Sequence, residues 1–252
     1  MIKSIVNRFK NTRQFKDFYK DWITTLKTTL LPHLTHTLFD IATPPDPLTL
    51  ATHVNLILTH FTTYFAALDA ATTNDGVDQL LYPSWRSDVE KPFLWLGEFH
   101  PYIFTNLLRS FLETDDSDEN DNGFDPESLN RPCNAWRNLD GSLGHKIENI
   151  ECGLRLMVPA IAKRAREAQA KVVRKMAVGV DVGEVVGDVL EELTCVFLDA
   201  NRLRRSVVCD IVGVLNVNQA AFFLHGLAQF YVGFWDSKLA DHFNKSLGQS
   251  SF

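Results

Sequence analysis

From Leu139 to Ile161 the apolar residues Leu139, Leu143, Ile147, Ile150, Leu154, Met157 and Ile161 recur in steps of 4, 4, 3, 4, 3 and 4. Such steps keep one face of an α-helix apolar and are incompatible with the two-residue period of a strand. The run predicts a long helix packed along one seam, coiled-coil-like but short. It continues into the basic, alanine-rich "AKRAREAQAKVVRKMA", and the glycines of "VGVDVG" end it.

The same period governs most of the chain. Phe15, Phe18, Tyr19, Trp22, Ile23, Leu26, Leu30, Leu34 and Leu38 define an amphipathic helix of about seven turns, in which Pro32 should introduce a kink. The linker "ATPPDP" breaks it. A second helix buries Leu50, Val54, Ile57, Leu58, Phe61, Phe65 and Leu68. Threonine is abundant here, with 14 between Thr24 and Thr73, so packing rather than helix propensity must supply much of the stability. Beyond "VGVDVG", Val186, Val189, Leu193, Phe197, Ala200, Leu203, Val207, Ile211 and Leu215 describe another helix. "NVNQ" then separates a last pair, "AAFFLHGLAQFYVGF" and "SKLADHFNKSL". No strand-like alternation exceeds four residues. The expectation is an all-α helical bundle forming one domain over residues 1–252, long enough to bury a substantial core.

Two stretches depart from this pattern. "WRSDVEKPFLWLGEFHP", from Trp85 to Pro101, holds two tryptophans ten residues apart among prolines, acids, a glycine and a histidine. Pro92 and Pro101 should start or interrupt helices, Gly97 permits a tight reversal, and Glu90 suits local capping or pairing. The second departure is "ETDDSDENDNGFDPE", residues 113–127, with eight acids in fifteen residues. It reads as a solvated loop. Asp118, Asn120, Asn122 and Gly123 match the start of a calcium loop, but Leu129 stands where the bidentate glutamate belongs, so an EF-hand is disfavoured.

Composition narrows the function. A net charge of −6 argues against general affinity for nucleic acid, and the 45% apolar content is ordinary for a folded protein. Cys133, Cys152, Cys195 and Cys209 form no CxxC pair and read as reduced thiols. The N-terminal residues lack a signal peptide's apolar run, and no stretch approaches the roughly 18 apolar residues of a membrane span. There is no GxSxG elbow, P-loop or dinucleotide-binding fingerprint, so a catalytic role is not expected. His33 with His36, and His53 with His60, have helical spacing that a metal site could use. No carboxylate completes either, and no metal or cofactor is expected. Asp115, Asp116, Asp118, Glu119, Asp121 and Asp125 are candidate contacts for a basic partner. Lys163, Arg164, Arg166, Lys171, Arg174 and Lys175 form the opposite pole, either a solvated face or a surface for anionic lipid or an acidic partner.

"YPSWRSDVEKPFLWLGEFHPYIFTNLL" resembles the signature of the plant delay-of-germination domain through Trp85, Ser87, Glu90, Trp95, Leu96, Gly97, Pro101 and Phe104. "DANRLRRSVVCDIVGVLNVNQAAFFL" resembles a second family segment through Asn201, Leu203, Arg204, Leu215, Gln219, Ala220, Ala221, Phe223 and Leu224. "FKDFYKDWITTLKTTLLPHL" resembles the family's opening, so the resemblance spans nearly the whole chain. These residues are taken as a structural signature rather than an active site.

"EKPFLW" and "QAAFFLHGLAQF" point within the family toward the members that act at pollen apertures rather than toward the dormancy regulator. The resemblance implies a non-enzymatic scaffold in the cytoplasm, recruited to plasma-membrane domains at aperture sites in developing pollen. It implies peripheral membrane association and partners among other aperture-site proteins, including a second delay-of-germination-type protein or a kinase. The alternative is a regulatory sensor that binds haem or a metal. The dormancy relative is associated with haem through a histidine pair, but those positions hold Tyr231 and Trp235 here, so haem is not carried over. Nor is DNA binding, because the basic zipper of the family's transcription factors is lacking.

Overall fold

A computed structural model describes residues 15–40, 46–74, 76–113, 135–136, 141–179 and 182–235. The protein is all-α apart from one small hairpin. Helix α1 covers residues 15–39, and α2 is Pro47–Ala71, α3 Val77–Leu81, α4 Tyr102–Glu113, α5 Gly141–Ala177, α6 Val182–Val214 and α7 Val217–Gly233. A 3₁₀ turn, Lys91–Phe93, leads into strands β1 (Leu94–Trp95) and β2 (Glu98–Phe99), which pair antiparallel with Leu94 opposite Phe99. No helix among the described residues is long and apolar enough to cross a membrane. The acidic segment 114–127, Cys133 and "SKLADHFNKSL" lie outside the described residues.

Pro32 does not break α1. Leu26–Leu30 widens to a π-helix, and the Leu31 N–H donates to the Leu26 carbonyl five residues back. Widening the turn just before Pro32 accommodates a ring that would otherwise press on the carbonyl four residues earlier. The helix therefore passes Pro32 with a local change of pitch, and the α-helix resumes over Leu31–Phe39.

The seam of α5 also shifts. Leu143, Ile147, Leu154 and Ile161 are buried as expected, but Met157 is exposed and Val158 takes its place. The buried residues keep a seven-residue repeat, Ile147, Leu154, Ile161 and Ala168, with Val158 and Ala165 completing the stripe four residues after Leu154 and Ile161. On α6 Val185, four residues before buried Val189, is buried in place of Val186.

Contacts group the chain into two compact units. One contains the described residues of Met1–Lys20, Thr62–Pro101 and Glu151–Ser206, and the other those of Asp21–Phe61, Tyr102–Ile150 and Val207–Phe252. In the first unit α5 and α6 run antiparallel. Ile161 and Ala165 meet Val196 and Ala200, with Trp95, Leu96 and Leu203 packed against them. Further along, Ala168 meets Val185 and Val189. Gly179, at φ +77°, turns the chain between the two helices.

In the second unit the Trp22 indole stacks on His60 with centroids 5.0 Å apart, and its Nε1–H donates to the His60 carbonyl. His60 Nε2–H returns a bond of 3.0 Å to the Trp22 carbonyl. Burial holds this imidazole below its usual pKa and so favours the neutral ring, whose Nε2–H tautomer makes the bond to Trp22. Tyr231 lies edge-on to Trp22 and Phe61, at 5.6 and 5.2 Å. Thr35 donates to the Leu31 carbonyl and so accepts from His225 Nε2–H at 3.0 Å.

The hairpin turn between the strands is Leu96–Gly97, with φ of +49° and +76°. Two consecutive left-handed residues make a tight turn whose first position would suit asparagine better than leucine. Leu96 is kept there by packing against the α5–α6 cluster. At Gly97 an added Cβ would lie 2.0 Å from the Leu80 carbonyl oxygen. Replacing Gly97 with alanine therefore adds left-handed strain to a backbone collision. The expected loss is about 2–4 kcal/mol, read from urea denaturation midpoints.

Candidate functional site

The Trp85–Pro101 segment forms the most organised polar cluster among the described residues, and Arg86 is at its centre. Its side chain is almost fully buried, with 3% of the residue exposed. Nη1 donates to Tyr19 Oη and Glu90 Oε1, both at 2.8 Å. Nη2 donates to Tyr64 Oη at 2.8 Å and to Glu98 Oε2. Tyr19 also donates to Glu90, and Tyr64 to Glu98. The guanidinium lies over the Tyr19 and Phe99 rings at 4.5 and 5.1 Å.

Local sequence explains this geometry. Ser87 and Glu90 cap each other: the Ser87 N–H donates to Glu90 Oε2 at 2.7 Å, and the Glu90 N–H to Ser87 Oγ at 3.3 Å. That turn returns Glu90 to Arg86, four residues earlier. The hairpin presents Glu98, whose Oε1 accepts from the Phe99 N–H at 2.9 Å. Burial by itself would disfavour a charged Arg86. The facing Glu98, with Tyr64, Tyr19 and Glu90, reverses that and holds the guanidinium charged well above its usual range.

A second arginine clasps the hairpin from α6. Arg204, fully buried, donates through Nε to the Phe99 carbonyl at 2.8 Å and through Nη2 to the carbonyls of Trp95 and Glu98. Its guanidinium lies 5.3 Å from the Trp95 ring centroid. One turn earlier, buried Asn201 donates to the Phe65 carbonyl at 2.9 Å and to Asp69. The structure thus joins Asn201 and Arg204 to segments more than a hundred residues away. Trp85 is half-buried against Phe15 at 5.7 Å, Leu203 is half-buried on the α5–α6 cluster, and Pro101 is buried.

Gln219 and Ala221 belong to the other unit. Asn216 and Gln219 form a capping box at the start of α7, and Gln219 Nε2 donates to the Ala135 carbonyl at 3.1 Å. Ala221 is completely buried.

Chemically, this cluster is suited to holding a fold. Glu90 and Glu98 have almost no exposure, and each accepts from Arg86, a tyrosine hydroxyl and a backbone N–H. Carboxylates so enclosed are out of reach of a substrate proton. Among the described residues, no three His, Cys, Asp or Glu side chains stand together as a metal site would need. His33 instead stacks on His53 at 6.2 Å, and His53 bonds Thr37. Tyr231 is buried and Trp235 is exposed.

The basic positions divide into two sets. Arg164 bonds Glu192 at 2.9 Å and Asp199 at 2.5 Å, and Lys171 and Lys175 reach Asp188 at 3.0 and 3.9 Å. These three pair α5 with α6, and hydrogen bonding from Lys171 holds the Asp188 carboxyl below its usual range. Lys163, Arg166 and Arg174 are exposed, and Lys163 pairs with Glu167 one turn on. The candidate acidic contacts Asp115, Asp116, Asp118, Glu119, Asp121 and Asp125 lie outside the described residues.

Sequence reasoning singled out Glu90 but not Arg86, Tyr19, Tyr64 or Glu98. A weak signal was present: an arginine between Trp85 and Ser87, with glutamates four and twelve residues on. Removing Arg86 would leave two buried carboxylates without their cation. We expect Arg86→Met to lose about 3–5 kcal/mol in urea denaturation, and R86M/E90Q/E98Q to regain much of it.

Comparison with known proteins agrees with the signature. The family described as Seed dormancy control matches residues 30–110. Protein INAPERTURATE POLLEN1 of Arabidopsis thaliana is 39% identical over 266 aligned residues, covering 95% of this chain and 96% of that protein. The INAPERTURATE POLLEN 1 homolog of Oryza sativa subsp. japonica is 31% identical over 236 residues, covering 92% and 89%. Similarity of this extent, in a chain whose Arg204 clasps the hairpin of the Trp85–Pro101 signature, makes it a member of the seed dormancy control, or delay-of-germination, family.

Proposed function

We propose that this chain acts in pollen aperture formation as a non-enzymatic scaffold. In this reading it marks plasma-membrane domains and keeps them close to the overlying callose wall, so that exine is not deposited there. The observation that carries the reading is near-full-length similarity to proteins named for pollen without apertures. The chemistry of the signature supports it, because the polar groups of that segment are engaged with one another rather than aimed at a substrate.

A scaffold of this kind acts through its surfaces. The acidic segment 113–127 is the proposed contact for a basic partner, such as another delay-of-germination-type protein or a kinase. Peripheral attachment to anionic lipid would fall to the outward cations Lys163, Arg166 and Arg174, since Arg164, Lys171 and Lys175 are paired with α6.

Expression in pollen that lacks apertures tests the reading directly: restored apertures support it, and unrestored apertures despite normal protein levels reject it. Deleting Asp115–Asp125 should leave the thermal melt unchanged and weaken capture of the partner about ten-fold. Unaltered aperture placement after that deletion would remove the segment from the mechanism. Reversing Lys163, Arg166 and Arg174 to glutamate should release the protein from vesicles rich in phosphatidylserine, measured by co-sedimentation. Retention would assign recruitment to protein contacts alone.

A further inference from the structure

The first unit contains a cleft of about 500 Å³ that the signature cluster does not use. One side is formed by the segment around the hairpin, through Leu81, Leu94 and Leu96. The other is formed by Ala165 of α5 and Leu193 of α6. These wall residues are buried or half-buried, whereas Tyr82, Ser84, Lys91 and Gln169, which also line it, are exposed and so stand at the mouth. Lys91 brings the one charge among the described residues that line the cleft. The volume lies in the range of small-molecule sites, and apolar walls with a few polar groups at one end are their usual composition.

We propose that this cleft binds a single acyl chain carrying an anionic head, with the chain along the leucine walls and the head at Lys91. Three features select this ligand class. An apolar cleft is solvated poorly, so methylene groups gain most by entering it. The charge at the entrance, on Lys91, is positive, which favours an anionic head over a cationic one. Lys91 already holds Asp88 at 2.6 Å, but both groups are largely exposed and such pairs are weak, so a carboxylate or phosphate can displace Asp88.

The wall is also held in place rather than assembled on demand. Leu96 occupies a left-handed conformation that a leucine adopts at a cost, and Gly97 packs against the Leu80 carbonyl. The Arg204 bonds to the Trp95, Glu98 and Phe99 carbonyls fix the hairpin behind that wall. A pre-formed cleft loses less on binding than one that must order first. This inference does not rest on the aperture reading, because it can be tested with purified protein.

Titration of the full chain with cis-parinaric acid, displaced by saturated fatty acids from decanoate to hexadecanoate, tests it. The expected result is saturable one-to-one binding whose affinity rises by up to about four-fold per added methylene and then levels off as the cleft fills. Gln169→Trp, which narrows the mouth, and Lys91→Glu, which reverses its charge, should each weaken binding at least five-fold while leaving the circular-dichroism melt unchanged. Both substitutions are at exposed positions. Binding of lysophosphatidate without response to fatty acid would identify a membrane-lipid head, and response to fatty acid a free amphiphile. Absence of saturable binding, or binding that both variants leave within two-fold of the parent, overturns the proposal.

Discussion

The first unit depends on keeping Arg86 charged while it is excluded from water. A buried guanidinium needs acceptors around it, and both terminal nitrogens of Arg86 meet them although its Nε–H does not. Here α1 supplies Tyr19, α2 supplies Tyr64, the capped turn supplies Glu90 and the hairpin supplies Glu98. Two helices and two neighbouring pieces of the Trp85–Pro101 stretch must therefore be placed together around one side chain. That requirement gives the irregular Trp85–Pro101 stretch a single arrangement, although it contains only one 3₁₀ turn and two short strands. Arg204 applies the same principle to the backbone, donating to three carbonyls of the hairpin.

Two consequences reach the surface. Because the hairpin is fixed from behind by Arg204 and from below by Gly97, its outer side can hold an apolar wall against α5 and α6 without collapsing. Because α5 and α6 cross-pair their charges, half of an apparently basic helix face is neutralised within the fold. A run of like charges in sequence is thus a poor guide to surface potential when a facing helix carries the opposite sign. Asp188, Glu192 and Asp199 convert much of an electrostatic surface into an inter-helix seam. The pairs are partly exposed, so they contribute more to the register of α5 on α6 than to stability.

The helices were legible because burial imposes a period on composition. The stripes of α1 and α2 are buried almost residue for residue as the spacing predicts, from Phe15 to Leu38 and from Leu50 to Leu68. Deviations were shifts by one residue: Met157 and Val186 yielded to Val158 and Val185, because i+3 and i+4 both satisfy helical spacing and only the facing helix selects between them. At Pro32 the spacing predicted an interruption but not its form, a π-helical turn just before the ring. The histidine spacings were legible too, but their chemistry was not. His60 reads as half of a same-helix pair in sequence and is a stacking partner of Trp22 in the fold.

By itself, the sequence determined the helical class, most of the buried faces and, through "WRSDVEKPFLWLGEFHP", the family. Each of these depends on local spacing or on a contiguous word. Only the tertiary structure decided that Glu90 and Glu98 share one arginine, that Arg204 clasps a hairpin 105 residues away from it at Phe99, and that a cleft lies between Leu96 and Leu193. The physical reason is that ion pairs, buried hydrogen bonds and cavities are defined by distance in space. Such partners are brought together by the fold and leave no periodic trace in composition.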